Sequence, residues 1–179
     1  EEADRLELSL DVIAAVFADP SLSGWDGFGL AIQAYQKRAP QVIDYIDTLC
    51  QQYGRRMMVR LVKGAYWDTE IKRAQVFGRT DYPVFTTKAA TDLNYLVCAR
   101  DILDADPHLY GQFATHNAVS LAAVQHMARR AGERVEFQRL HGMGEALYEA
   151  AEEIWAADRF VVRSYAPVGG HEELLPYLV

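Results

Sequence analysis

Cysteine is scarce in this sequence: two residues in 179, Cys50 and Cys98, which stand 48 positions apart and form no CxxC pair or His-spaced set. A disulfide framework and a thiolate zinc site are therefore excluded, and both residues read as reduced core thiols suited to the cytoplasm. Positive charge is also sparse. Eighteen Lys and Arg stand against 25 Asp and Glu, a net charge of -7, and no basic run exceeds the pairs Lys37-Arg38 and Arg129-Arg130. Nucleic acid is thus not expected as a partner of this segment. No apolar run of 18 residues and no signal peptide occurs, so the segment is not expected to enter or span a bilayer. His116, His141 and His171 fall near successive strand ends, but none has a carboxylate at HxxE or HExxH spacing, so no metal is expected. GxSxG is missing, which removes the nucleophile-elbow hydrolases. No GxGxxG follows the first strand, which argues against a dinucleotide fold of the doubly wound kind.

What is present is ordinary globular composition, 50% hydrophobic and 24% charged, sufficient for one full-sized core. The chain is organised around MMVRLVKGAYWD, Met57 to Asp68. Met58, Arg60 and Val62 alternate with Met57, Val59 and Leu61, which predicts a strand buried on both faces. The strand ends at Lys63, turns at Gly64-Ala65 and meets a helix for which Asp68 is a candidate cap. A guanidinium inside such a strand requires a partner. Two are open: a carboxylate on a neighbouring strand, or an anionic or electron-rich ligand.

The rest of the chain repeats the plan. Leu6, Leu10, Ile13 and Phe17 have helical spacing, and a strand over Gly29 to Ala34 carries Gln33 at its end. Pro40 opens a helix whose stripe is Val42, Ile46, Leu49 and Tyr53. A short charged helix over Asp68 to Phe77 and a loop over Gly78 to Pro83 lead to a longer helix opened by Thr87, with Leu93, Leu96, Val97 and Leu103. A third strand, Gly111 to Thr115, closes in Thr115-His116-Asn117 before a helix bearing Leu121, Val124 and Met127. A fourth, Arg134 to Leu140, ends in HGMG before a helix around Leu147 and Ile154. A fifth, Phe160 to Tyr165, ends in APVGG before a helix beginning near His171. Strand and helix alternate five times, which implies parallel neighbours and right-handed crossovers. Gln33, Arg60, Thr115, Gln138 and Tyr165 are expected to converge at one end of the five strands, the functional end of a (β/α)₈ barrel, which is favoured over an open sheet.

The residues alone leave several chemistries open. Lys63-Gly64-Ala65 and the following amides suit a phosphate, since glycine permits close backbone approach and a helix N-terminus attracts anions. Lys63 is equally a candidate Schiff-base lysine of an aldolase-type barrel, or a solvated turn residue. Asn117 reads as an N-cap and His116 as a structural histidine as readily as ligand contacts.

RLVKGAYWD (Arg60 to Asp68), EIKRAQ (Glu70 to Gln75), YPVFTTK (Tyr82 to Lys88), QFATHNA (Gln112 to Ala118), EFQRLHGMGE (Glu136 to Glu145), SYAPVG (Ser164 to Gly169) and QAYQKRAP (Gln33 to Pro40) together resemble the proline dehydrogenase family. The wording is nearest to the catalytic barrel of its large bifunctional bacterial proline utilization members. The resemblance covers essentially the whole chain. It implies an FAD-dependent α/β fold, a (β/α)₈ barrel, that oxidises L-proline to Δ1-pyrroline-5-carboxylate and passes electrons to a membrane quinone. It implies that Gln33, Arg60, Val62, Lys63, Gly64, Ala65, Thr86, Thr115, His116, Asn117 and Gln138 contact FAD, with Trp67 near the adenine. Leu61, Tyr66, Leu140 and Tyr165 are implied at the proline pocket, and Arg60, Tyr66 and Tyr165 at the chemistry. In that register the chain holds about strands four to eight of a single domain over 1–179. The family's active-site lysine and aspartate would precede Glu1, and its carboxylate-binding arginines would follow Val179. The remainder of the barrel and an aldehyde dehydrogenase region would belong to a longer, cytoplasmic parent peripherally bound to the inner membrane. Arg139 and the Thr87-Lys88 pair depart from the family wording at positions peripheral to the chemistry. A non-catalytic truncated segment or scaffold is the alternative from another class.

Overall fold

The structure is a computed structural model that describes residues 2–132, 135–156, 160–170, 172 and 174. Its elements run α1 (Leu6–Phe17), a 3₁₀ turn (Pro20–Leu22), β1 (Gly29–Gln33), α2 (Ala39–Tyr53), β2 (Met57–Val62), α3 (Trp67–Val76), α4 (Lys88–Asp104), β3 (Leu109–Ala114), α5 (Ala118–Ala131), β4 (Val135–Leu140), α6 (Glu145–Ile154) and β5 (Phe160–Tyr165). The five strands form one sheet in the order β1-β2-β3-β4-β5, every neighbouring pair parallel. Sequential order is the singly wound arrangement of a (β/α)₈ barrel, because a doubly wound sheet reverses direction at a switch point. The expected parallel α/β architecture is what the chain adopts.

Register explains the layering. Ile32, Leu61, Phe113 and Phe137 stand in one row across four strands and are almost completely buried. Phe113 and Phe137 bring their ring centroids to 6.1 Å. This is the helix-covered face, completed by Ile43 and Ile46 of α2, Cys98 and Ile102 of α4, and Leu121 and Val124 of α5. Each such side chain stabilises the fold by about 1.5–3 kcal/mol relative to exposure. The opposite face carries a different row, Ala31, Arg60, Gln112 and Glu136, and beside it Ala114, Gln138 and Arg163. Period-two alternation therefore puts apolar residues under the helices and polar residues on the concave side.

That polar face corrects one expectation. The second strand is not buried on both faces: Met57, Val59 and Leu61 are fully buried, whereas Met58, Arg60 and Val62 are half-buried. Asp68 is also no cap, since α3 begins at Trp67 and puts it in the first turn, where its charge still complements the helix dipole. In α4 the buried stripe is Tyr95, Cys98, Ala99, Ile102 and Leu103, leaving Leu93 66% exposed. The helix is rotated because Asn94 faces inward and donates to Ala34 O at 2.8 Å and Gln36 O at 3.4 Å. Tyr53, expected in the buried stripe of α2, is exposed at its end. Tyr53 instead meets Phe17 edge-on at 6.1 Å. Arg134 and most of the helix expected from His171 onward lie outside the described residues.

Candidate functional site

The C-terminal ends of the strands open into a cavity of about 670 Å³. Its lining includes Gln33, Arg60, Val62, Lys63, Gly64, Ala65, Tyr66, Thr115, His116, Asn117 and Tyr165, so sequence candidates from β1, β2, β3 and β5 are brought together. Gln138 is buried at its edge. A second cavity of about 350 Å³ shares Lys63, Gly64 and Lys88 with the first and is walled by Trp67, Thr86 and Asp92. An elongated ligand crossing the turn at Gly64 would occupy both.

Two candidates lie elsewhere. Leu61 belongs to the helix-covered row, 0% exposed. Leu140 is half-buried at the end of β4, opposite Tyr165 in register but outside the cavity lining.

The turn after β2 is shaped by one residue. Gly64 has φ +137°, and a Cβ there would fall 2.5 Å from the Tyr35 ring. Only glycine fits both the backbone angle and the contact. The amide of Ala65 donates to Gln33 Oε1 at 3.2 Å, which ties the turn to the end of β1. Lys63 pairs with Asp92 at 2.5 Å, and Lys88 pairs with the other carboxylate oxygen. The hydrogen bond from Lys63 and then that from Lys88 hold the Asp92 carboxyl below its ordinary range. Two cations held by one carboxylate leave a local positive excess beside Gly64, which suits a phosphate.

Arg60 is the residue that decides the character of the cavity. Its Nε donates to Gln138 Oε1 at 2.8 Å, and its Cζ lies 4.9 Å from the centroid of the Tyr165 ring. Among the described residues no carboxylate lies within ion-pair distance of it; Glu136, the acid on the next strand but one, is paired with Arg163. The neighbouring-strand ion pair is thus not formed by the described residues, and the guanidinium stands in the cavity wall.

The third and fourth strand ends are locked together. Tyr148 Oη, from α6, donates to Thr115 O at 2.7 Å and to Gln138 O at 3.3 Å. Thr115 Oγ1 accepts from the Asn117 amide at 3.1 Å, and Asn117 Oδ1 caps α5 by accepting from Ser120 N at 2.9 Å. His116 Nε2 accepts from Leu140 N at 3.0 Å, so the neutral ring carries its proton on Nδ1. Burial, then the nearby Arg139 charge, lower its pKa below 6.5. Sequence reasoning missed Tyr148 and the inward carboxylate Glu136. The second was signalled by its place two residues before Gln138, hence on the same face of the strand.

The residues present would fit a bound FAD: a cation in the cavity lining, a glycine turn beside two lysines, and a second cavity beyond it.

The comparisons agree with this geometry. The family model for proline dehydrogenase matches residues 1–179. Two curated relatives are the bifunctional protein PutA of Salmonella typhimurium, 54% identical over 183 residues, and that of Rhizobium meliloti, 54% over 185. All of this chain is covered in both, and it spans 14% and 15% of their lengths. Among solved structures, a mutant of Bradyrhizobium japonicum proline utilization A superposes with a TM-score of 0.92 at 64% identity, covering 99% of this chain and 18% of that one. The Bdellovibrio bacteriovorus protein, inactivated by N-propargylglycine, gives 0.91 at 33% identity over the same shares. With a family match over its full length and a parallel sheet that superposes on solved relatives, the chain belongs to the proline dehydrogenase family.

Proposed function

We propose that the protein carrying this chain oxidises L-proline to Δ1-pyrroline-5-carboxylate with FAD and passes the electrons to a membrane quinone, working in the cytoplasm at the inner membrane surface. The five strands contribute the second part of a (β/α)₈ barrel, in a parent that also carries an aldehyde dehydrogenase region. FAD, when bound, supplies the hydride acceptor for the C–H bond next to the proline nitrogen. The observation that carries the reading is Arg60, a cation at the cavity wall held, among the described residues, by an amide and a tyrosine ring rather than by an acid.

In this reading Arg60 would supply a preorganised positive charge to the bound flavin, a contact of the kind that contributes most when it strengthens toward the transition state. Gln33, Lys63, Gly64, Ala65, Thr86, Thr115, His116, Asn117 and Gln138 would hold the cofactor, with Val62 against it and Trp67 on its adenine side. Tyr66 and Tyr165 wall the proline pocket beside Leu140 and orient the substrate ring. Leu61 supports the pocket only from behind β2. No side chain acts as a nucleophile.

The aldolase reading is weaker. A Schiff-base lysine must present a neutral amine, whereas Lys63 is engaged at 2.5 Å by Asp92. The test is an anaerobic titration of the purified full-length protein with L-proline. Bleaching of a yellow flavin band is expected, followed by its return with a quinone. N-Propargylglycine, a secondary amine with a carboxylate like proline, is expected to inactivate the protein as it does the Bdellovibrio relative. A colourless preparation would favour the non-catalytic alternative, and a yellow one indifferent to proline would refute the substrate.

A further inference from the structure

Glu136 takes no part in the cavity lining, yet it is the most heavily hydrogen-bonded acid of the concave face among the described residues. It is 2% exposed. Its Oε1 accepts from Gln138 Nε2 at 2.8 Å, Gln112 Nε2 at 3.2 Å and Arg163 Nε at 2.7 Å, and its Oε2 accepts from Arg163 Nη2 at 2.9 Å. Burial pushes its pKa up, but the donors, Arg163 first, outweigh it and hold the group below 4.5. Glu136 is therefore an acceptor-only carboxylate.

Arg60, at the other end of the chain of contacts, is donor-only. The Gln138 amide lies between them, Oε1 toward Arg60 Nε and Nε2 toward Glu136. Of the two amide orientations only this one satisfies both neighbours; the reverse would set NH₂ against the guanidinium and C=O against the carboxylate. Glu136 and Arg60 thus favour the same Gln138 orientation from opposite sides, which links the carboxylate to the guanidinium through one amide.

We propose that Glu136 is a positioning residue for Arg60, acting through the Gln138 amide to hold the guanidinium in the place from which it acts on the flavin. The proposal rests on the flavin reading of Arg60 given above. Arg163, whose side chain is 62% exposed, neutralises the buried carboxylate and does not itself reach Arg60's partner amide.

Two substitutions in the full-length flavin-loaded protein separate position from charge. Both Glu136→Leu and Glu136→Gln remove the negative charge, but only Glu136→Gln keeps an oxygen for the Gln138 Nε2 while Arg163 turns to solvent. A through-space charge effect would raise the flavin midpoint potential equally in both. Positioning predicts that Glu136→Leu has the lower potential of the two, and that its reduction by proline in stopped flow is about 10- to 100-fold slower, the loss typical of a misplaced group. The dissociation constant for proline should be alike in both. Equal potentials and equal reduction rates in the two variants would overturn the proposal. If Glu136→Leu does not retain flavin, Glu136→Thr, too short to reach Gln138 and well suited to a strand, is read against Glu136→Gln in the same way. Failure of the underlying reading shows separately: Arg60→Met would then leave both the potential and the rate at wild-type values, whatever the Glu136 variants do.

Discussion

At the scale of single residues, the site depends on positions that tolerate little change. Gly64 combines φ +137° with a Tyr35 ring that occupies the space of a Cβ. Gly64→Ala should cost about 1–3 kcal/mol from backbone strain alone and lower the flavin content of the purified protein. Differential scanning calorimetry and the flavin-to-protein absorbance ratio measure the two effects; full occupancy with an unchanged Tm would contradict the close approach. His116 offers a pH test. Its folded pKa is depressed from 6.5 by burial, so the neutral ring is the form the fold accommodates. The stability it secures is fully present above 6.5 and is lost as pH falls through the lowered value. An NMR titration should give a midpoint below 6.5 with the proton on Nδ1 in the neutral form. A midpoint above 6.5 would mean that the Leu140 amide is not its partner.

At the scale of elements, the strand ends are aligned by contacts that cross between segments. Tyr148 reaches from α6 to the carbonyls of both Thr115 and Gln138. Tyr148→Phe removes the donor from the Thr115 carbonyl and leaves the Gln138 carbonyl the Thr115 amide alone, at 3.4 Å, which should cost about 1–3 kcal/mol and loosen β3 against β4. Amide exchange should then speed up at the ends of β3 and β4 and not in α2; uniform exchange would contradict the tie. Asn117→Ala removes the α5 cap and should cost about 0.5–2 kcal/mol in urea unfolding. This is also the scale at which the sequence was most and least legible. Four strands were found to within a residue at each end, because hydrophobic patterning and the turn residues after each are local signals, whereas β3 begins at Leu109, two residues before the expected Gly111. The α4 face was misread because Asn94 spends its amide on Ala34 and Gln36 carbonyls, a partner distant in the chain that displaces Leu93 outward. Likewise the reading of β2 as buried on both faces followed from its composition. Which face meets helices is decided by neighbouring strands, and the row of Arg60, Gln112 and Glu136 turned out to be the concave one. The site residues were legible as strand-end candidates, whereas their hydrogen-bond order, from Arg60 through Gln138 to Glu136, required the folded register.

At the scale of the whole molecule, five parallel strands in sequential order put the apolar row against helices and leave the polar row facing a shared space. The polar row makes folding sensitive to acid. Glu136 has a folded pKa held below 4.5, so its contribution is complete above that value and is lost as pH falls through the lowered pKa. A decline in Tm as pH drops below about 4.5 is expected, and it should be smaller in Glu136→Gln, where no carboxylate has to be protonated; equal slopes would show that the acid transition arises elsewhere. The central claim concerns what the polar row holds. In the full-length protein, Arg60→Met should leave the circular dichroism spectrum unchanged, lower the flavin midpoint potential, and slow anaerobic flavin reduction by L-proline by about 10²- to 10³-fold, as expected when a preorganised charge is removed from the reacting edge. Stopped-flow absorbance with spectroelectrochemistry makes that measurement. A wild-type rate together with a wild-type potential would contradict the account and leave Arg60 a structural link between Gln138 and Tyr165.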